Sequence, residues 1–135
     1  MFIFGSTSAV SSTVVRGVRA YTKASITRVS GGAAANTARA ISAKFFPHGT
    51  STVIVVPGTG GAEDQAAPNV ILHNPGPILI SGPKGLSKAS LTEVKRLRAT
   101  RAIIVGGAGA METVVEGQLA SKGAKSTRIK TLRVC

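Results

Sequence analysis

The chain has 135 residues, of which 17 are Lys or Arg and 5 are Asp or Glu, giving a net charge of +12. With 43% apolar and 16% charged residues it is too hydrophobic to remain unfolded, and its length suits one domain of ordinary size. Phe2, Phe4, Tyr21, Phe45 and Phe46 are too few aromatics for a base-stacking platform, and the lone Cys135 excludes an internal disulfide or a cysteine metal cluster.

Met1-Phe2-Ile3-Phe4 is apolar but stops at Gly5, too short for a signal-peptide core or a membrane span. Ser6, Ser8, Ser11 and Ser12 follow, and read as helix caps because no histidine stands near to activate a nucleophile. An alanine-rich helix is expected over Ala33 to Phe46, ended by Pro47. Val53 to Val56 is a continuous β-branched run, the pattern of a strand buried on both faces, closed by Pro57-Gly58-Thr59-Gly60-Gly61. Glu63 to His73 reads as a short helix interrupted or restarted by Pro68. Its Asp64, the sole aspartate, suits the helix N-terminus better than paired acid chemistry, because the adjacent Glu63 side chain diverges from it.

Pro77 to Ile80 is the next expected strand, stopped by Ser81-Gly82-Pro83. Ser87 to Ala99 is an amphipathic helix with Leu91, Val94 and Leu97 on one face. Ser90 and Glu93 have capping-box spacing, with Ser87 as the other choice of N-cap. Ala102 to Val105 is a third strand, and Gly106-Gly107-Ala108-Gly109 turns it into a helix carrying Met111, Val114, Val115 and Leu119. Lys122-Gly123 closes that helix, and Ser126 to Leu132 is a last strand. Strands alternating with helices specify an α/β fold: a mostly parallel sheet flanked by helices, in a layered Rossmann-like or flavodoxin-like arrangement.

The chain also repeats itself. Phe2 to Val15 is similar to Ile103 to Val115, and Thr27-Arg28-Val29 to Thr127-Arg128-Ile129, at an offset of 100 or 101 residues. This divides the chain into 1–27, the tail of one repeat, 28–129, one nearly whole repeat, and a C-terminal tail 130–135.

The order of these pieces resembles the bacterial cell-wall-binding repeat type 2 family. The residues carrying the resemblance are Arg28-Val29-Ser30-Gly31, Thr37-Ala38-Arg39-Ala40-Ile41, Val53 to Val56, Gly58, Asp64-Gln65-Ala66-Ala67, Pro77-Ile78-Leu79-Ile80 and Ile103-Ile104-Val105-Gly106-Gly107. Ala110-Met111 and Leu119 continue it, and Arg128-Ile129 would open a following repeat. The resemblance implies a non-catalytic module at the cell surface of Gram-positive bacteria, without cofactor. Its partner would be an anionic secondary cell-wall polymer, and three repeats would stand around a threefold axis, from neighbouring repeats or as a homotrimer.

Two basic clusters are the candidate polymer contacts: Lys88, Lys95, Arg96, Arg98 and Arg101, then Lys122, Lys125 and Arg128. Gly106, Gly107 and Gly109, between strand and helix, could cradle an anion. A dinucleotide fingerprint is incomplete there, since Glu112 occupies the place of its third glycine. His48 and His73 lack partners at ligand spacing, so no metal site is expected. The alternatives are a basic α/β nucleic-acid binder, which uses the same charge but lacks a reading motif, and a small nucleotide-binding enzyme, which lacks an acid–base pair.

Overall fold

The computed structural model describes residues 1–59, 61–82, 84–107, 111 and 113–129. The elements in order are β1 (Phe2–Phe4), α1 (Ser12–Arg19), β2 (Thr27–Val29), α2 (Ala34–Phe45), β3 (Thr52–Val56), α3 (Ala62–His73), β4 (Ile78–Gly82), β5 (Gly85–Leu86), α4 (Lys88–Leu97), β6 (Arg101–Val105), α5 (Val114–Ser121) and β7 (Lys125–Ile129). The five-stranded sheet runs β5-β4-β3-β6-β7, and β1 and β2 form a separate parallel pair. Within the larger sheet only β5 is antiparallel, folded back on β4. The expected mostly parallel α/β architecture is the observed one.

Alternation along the central strands decides where the helices go. Val53 and Val55 of β3 and Ala102 and Ile104 of β6 face α4 and α5, whose Val94, Leu97, Val115 and Leu119 are 0–1% exposed. Ile54 and Val56, with Ile103 and Val105, face α3 through Ala67 and Val70. A strand apolar on both sides is stable only between two helical layers, which is why the valine run carries no polar alternation.

Several local details differ from expectation. Pro68 does not interrupt α3, which is one helix over Ala62–His73. Burial of Ala67 and Val70 against β3 and β6 holds it despite the missing donor, and Asp64 Oδ1 accepts the Gly58 N–H at 2.8 Å beside its first turn. β4 does not stop at Ser81 but reaches Gly82 and turns back as β5, where Leu86 N–H donates to Gln118 Oε1 at 2.7 Å. Ser87, not Ser90, caps α4, accepting from Ser90 N–H at 3.2 Å, while the buried Ser90 hydroxyl donates to the Ile80 carbonyl at 2.7 Å. Met111 is fully buried but precedes α5. β7 is described as far as Ile129, and the rest of the expected last strand lies outside the described residues.

Glu93 is free for another task. Only 1% exposed, it takes a bidentate ion pair from Arg96, Nε to Oε1 at 2.6 Å and Nη2 to Oε2 at 2.8 Å. Arg96 also donates to the carbonyls of Phe46 at 3.0 Å and Pro47 at 3.3 Å, so one guanidinium fastens the end of α2 to α4. The hydrogen bond to Glu93 holds the Arg96 pKa above its ordinary value.

The two ends of the chain share a geometry. Phe2, Ile3 and Phe4 of β1 lie opposite Thr27, Arg28 and Val29, and Ile103, Ile104 and Val105 of β6 lie opposite Thr127, Arg128 and Ile129. After each first strand a glycine takes a positive φ, 116° at Gly5 and 134° at Gly106. Gly5 N–H donates to the Val29 carbonyl at 2.9 Å and Gly106 N–H to that of Ile129 at 2.7 Å. Arg28 Nη1 returns to the Gly5 carbonyl at 2.7 Å, and Arg128 Nη1 to the Gly106 carbonyl at 2.9 Å. One difference separates the pairs: β6 has β3 on its other edge, whereas among the described residues β1 pairs only with β2. Phe2 and Phe4 are accordingly 42% and 47% exposed where Ile103 and Val105 are 2% and 3%, and they rest instead against Phe45, with ring centroids at 5.1 and 6.1 Å.

Two substitutions test this packing. Arg96→Ala strands a buried carboxylate and should lower unfolding stability in urea by about 3 kcal/mol, whereas Glu93→Met with Arg96→Ala should recover most of that loss. Equal stability of the single and double variants would show that the ion pair is not what matters there. At Gly76 an added Cβ would overlap the Thr52 carbonyl oxygen, so Gly76→Ala should cost about 1–3 kcal/mol in the same measurement.

Candidate functional site

In a parallel sheet all strands start at one end, so a residue's place along its strand or helix assigns it to one end of the domain. Lys95 and Arg96 in the last turn of α4, Arg98 at its C-cap and Arg101 opening β6 lie at the end where the strands begin. Lys122 at the C-cap of α5 and Lys125 opening β7 lie there too, with Arg101 and Lys125 directly opposite each other across the ladder. The two clusters, separate in sequence, therefore meet at one end of the sheet. Lys88 opens α4 and Arg128 stands one residue from the end of β7, so both belong to the opposite end.

The members differ in freedom. Lys88, Lys95, Arg98, Lys122 and Lys125 are exposed, and their side chains make no hydrogen bond or ion pair among the described residues. Arg101 is exposed but donates to Asn74 Oδ1 at 2.9 Å. Arg96 is committed to Glu93 and to α2. Arg128 is committed more fully: its side chain is 12% exposed, Nε donates to Glu116 Oε1 at 2.7 Å, and Nη1 also reaches the Met111 carbonyl at 3.2 Å. These two arginines build the fold. Lys95, Arg98, Lys122 and Lys125 are the cations at that end whose side chains make no hydrogen bond or ion pair among the described residues. Their position at the C-termini of α4 and α5 is also favoured by the helix dipoles, so part of their placement is structural.

The glycine turn is at the other end. Gly106 is buried and Gly107 partly so, while Gly109 lies outside the described residues. Arg128 braces this turn from below through the Gly106 carbonyl. The structure therefore does not join the turn and the main basic cluster into one site. A five-residue strand separates them, about 15 Å at the usual rise.

A cavity of about 750 Å³ lies between α2, β4 and the turn after β1. Phe4, Ala38, Ile41, Phe45, Ile78 and Ile80 line it, and no charged side chain does. The Ser42 hydroxyl beside it is buried without a hydrogen-bond partner. No group of three His, Cys, Asp or Glu among the described residues could hold a metal ion, and His48 and His73 are both exposed. No helix among them is long and apolar enough to cross a membrane.

No protein-family model matches the chain, and neither does any curated protein sequence. Solved structures do. A segment of Cwp8 from Clostridium difficile superposes with a TM-score of 0.77 at 25% identity, covering 98% of this chain and 22% of that one. A segment of Cwp6 from the same organism superposes with a TM-score of 0.72 at 27% identity, covering 77% of this chain and 16% of that one. The chain thus spans about a fifth of the length of these structures, and it has the fold of a segment of clostridial cell wall proteins.

Proposed function

We propose that the chain is a non-catalytic wall-attachment module that holds an anionic cell-wall polymer at the end of the sheet where Lys95, Arg98, Lys122 and Lys125 stand exposed. The observation that carries this reading is the near-complete superposition on Cwp8, in agreement with the order of motifs quoted from the sequence. The charge supports it: the chain bears +12, and four unpaired cations meet at one end of the domain. Such a field gathers a polymer bearing phosphate or carboxylate groups without any built pocket. The cavity between α2 and β4 has no charged side chain in its lining, which offers no acid–base pair there. The site would lie at the cell surface. The threefold arrangement of repeats implied by the resemblance would be met by three copies of the chain or by neighbouring repeats of a longer protein.

Binding to purified anionic wall polymer should weaken steeply between about 50 and 500 mM salt as the charges are screened. Replacing Lys95, Arg98, Lys122 and Lys125 together by Glu should remove at least about nine-tenths of the retained protein in a co-sedimentation assay, with the circular dichroism spectrum unchanged. Equal retention of the charge-reversed protein would overturn the assignment of these residues. Stronger retention on DNA or RNA than on the polymer at matched salt would replace the wall reading with the nucleic-acid one. Sedimentation velocity at micromolar concentration should show a trimer if three copies make the assembly; a monomer leaves neighbouring repeats as its only source.

A further inference from the structure

The likeness of the two ends continues into their helices, where it contains one reversal of charge. Thr13-Val14-Val15-Arg16-Gly17-Val18-Arg19-Ala20 matches Thr113-Val114-Val115-Glu116-Gly117-Gln118-Leu119-Ala120 at a constant offset of 100. Arg16 therefore stands where Glu116 does. In the C-terminal unit Arg128 is neutralised by Glu116 through its Nε at 2.7 Å. In the N-terminal unit Arg28 keeps the clasp to the glycine carbonyl through Nη1, but its Nε finds no acceptor among the described residues. The position that would supply the carboxylate carries a second guanidinium. Among the described residues Arg16 makes only a long contact to Thr13 Oγ1 at 3.4 Å within its own helix, and Arg19, one turn on, makes no side-chain hydrogen bond.

These three arginines line one cavity of about 340 Å³, with Ser12 at its rim and Ile3 and Ile26 on its wall. No acidic residue is near in sequence: the first Asp or Glu of the chain is Glu63, so residues 1–62 carry only basic charges. Three arginines and no acidic residue line this hollow, so their like charges add there, and an anion held between them would offset that repulsion.

We infer that the cavity between α1 and β2 is an oxyanion site, in which a carboxylate or phosphate group of a ligand takes the place that Glu116 occupies in the C-terminal unit. The template is internal to the molecule: the Glu116 oxygen that Arg128 Nε holds at 2.7 Å shows where an oxygen of a ligand would be held by Arg28. Arg16 and Arg19 contribute the donors and charge that the C-terminal unit lacks. A planar guanidinium offers paired donors matched to both groups. The site is at the other end of the chain from Lys95, Arg98, Lys122 and Lys125, and it does not depend on the wall-binding reading.

The test is calorimetric and thermal, on the whole chain, with inorganic phosphate and acetate as probes and chloride adjusted to hold ionic strength constant. Phosphate or acetate should bind and raise the melting temperature of the native chain beyond the chloride control, and the better of the two identifies the ligand group. Arg16→Glu rebuilds the C-terminal ion pair, so it should lose at least about tenfold in probe affinity while melting about 2–4 °C higher in chloride alone. Arg16→Gln should lose affinity without gaining the ion pair, and it serves if the Glu variant fails to fold. The Arg28 Nε–H resonance should shift on titration with the bound probe. Equal probe affinity in the native and Arg16-substituted chains, or no binding beyond the chloride control, would overturn the site.

Discussion

Burial of β3 and β6 on both faces is the constraint from which the rest of this molecule follows. Val53 to Val56 and Ala102 to Val105 are 0–4% exposed, so α3 must close one side and α4 with α5 the other. Two helical layers leave few places for polar groups: the outer faces of helices, and the two ends of the sheet. That geometry gathers cations widely separated in sequence at the end where strands begin, and glycine turns at the end where they finish. The charge pattern is thus a product of the fold as much as of composition.

The second organising device is an arginine that reaches from the penultimate residue of a strand to the carbonyl of a positive-φ glycine. It occurs twice, at Arg28 with Gly5 and at Arg128 with Gly106. In each case it holds the turn that leads into a helix, and the strand register around it is the same. Neighbouring residues then tune what the arginine does next. With Glu116 alongside, its Nε is ion-paired within the fold, whereas with Arg16 alongside it belongs to an open basic hollow. One scaffold serves two electrostatic ends because the clasp uses only Nη1 and leaves Nε to whatever the helix presents.

Much of this was legible before any coordinates. Valine and isoleucine runs marked β3, β4 and β6, and the unbroken apolar pattern of β3 showed a strand buried on both faces. Proline at 47, the glycine after Lys122 and the serine before Lys88 marked helix ends. The repeated Thr-Arg-Val/Ile showed where the chain returns to the same form. β5 was not legible, because Gly85-Leu86 is too short to show alternation. Pro68 misled because local propensity says nothing about the burial of Ala67 and Val70. The basic clusters could be seen, but not their division into bound and free members. Glu93 has capping-box spacing from Ser90, yet it faces Arg96 one turn on, and Glu116 meets Arg128 only through the folding of α5 onto β7. The exchange of Glu116 for Arg16 lay in plain view, but its meaning required knowing which atom of Arg128 the carboxylate holds.

Among the described residues the other edge of β1 has no partner strand. Met1 carbonyl and Gly5 amide turn toward β2, so by the alternation of a parallel ladder the amides of Phe2 and Phe4 point outward. Exposed main-chain donors flanked by aromatic side chains are the ingredients of uncontrolled strand addition. Here the hazard is limited by brevity: three residues offer two outward amides, and the turn at Gly5 ends the strand before a third is aligned. The segment is long enough to be completed by a matching strand held close by tertiary structure, and too short to recruit stray chains from solution on its own.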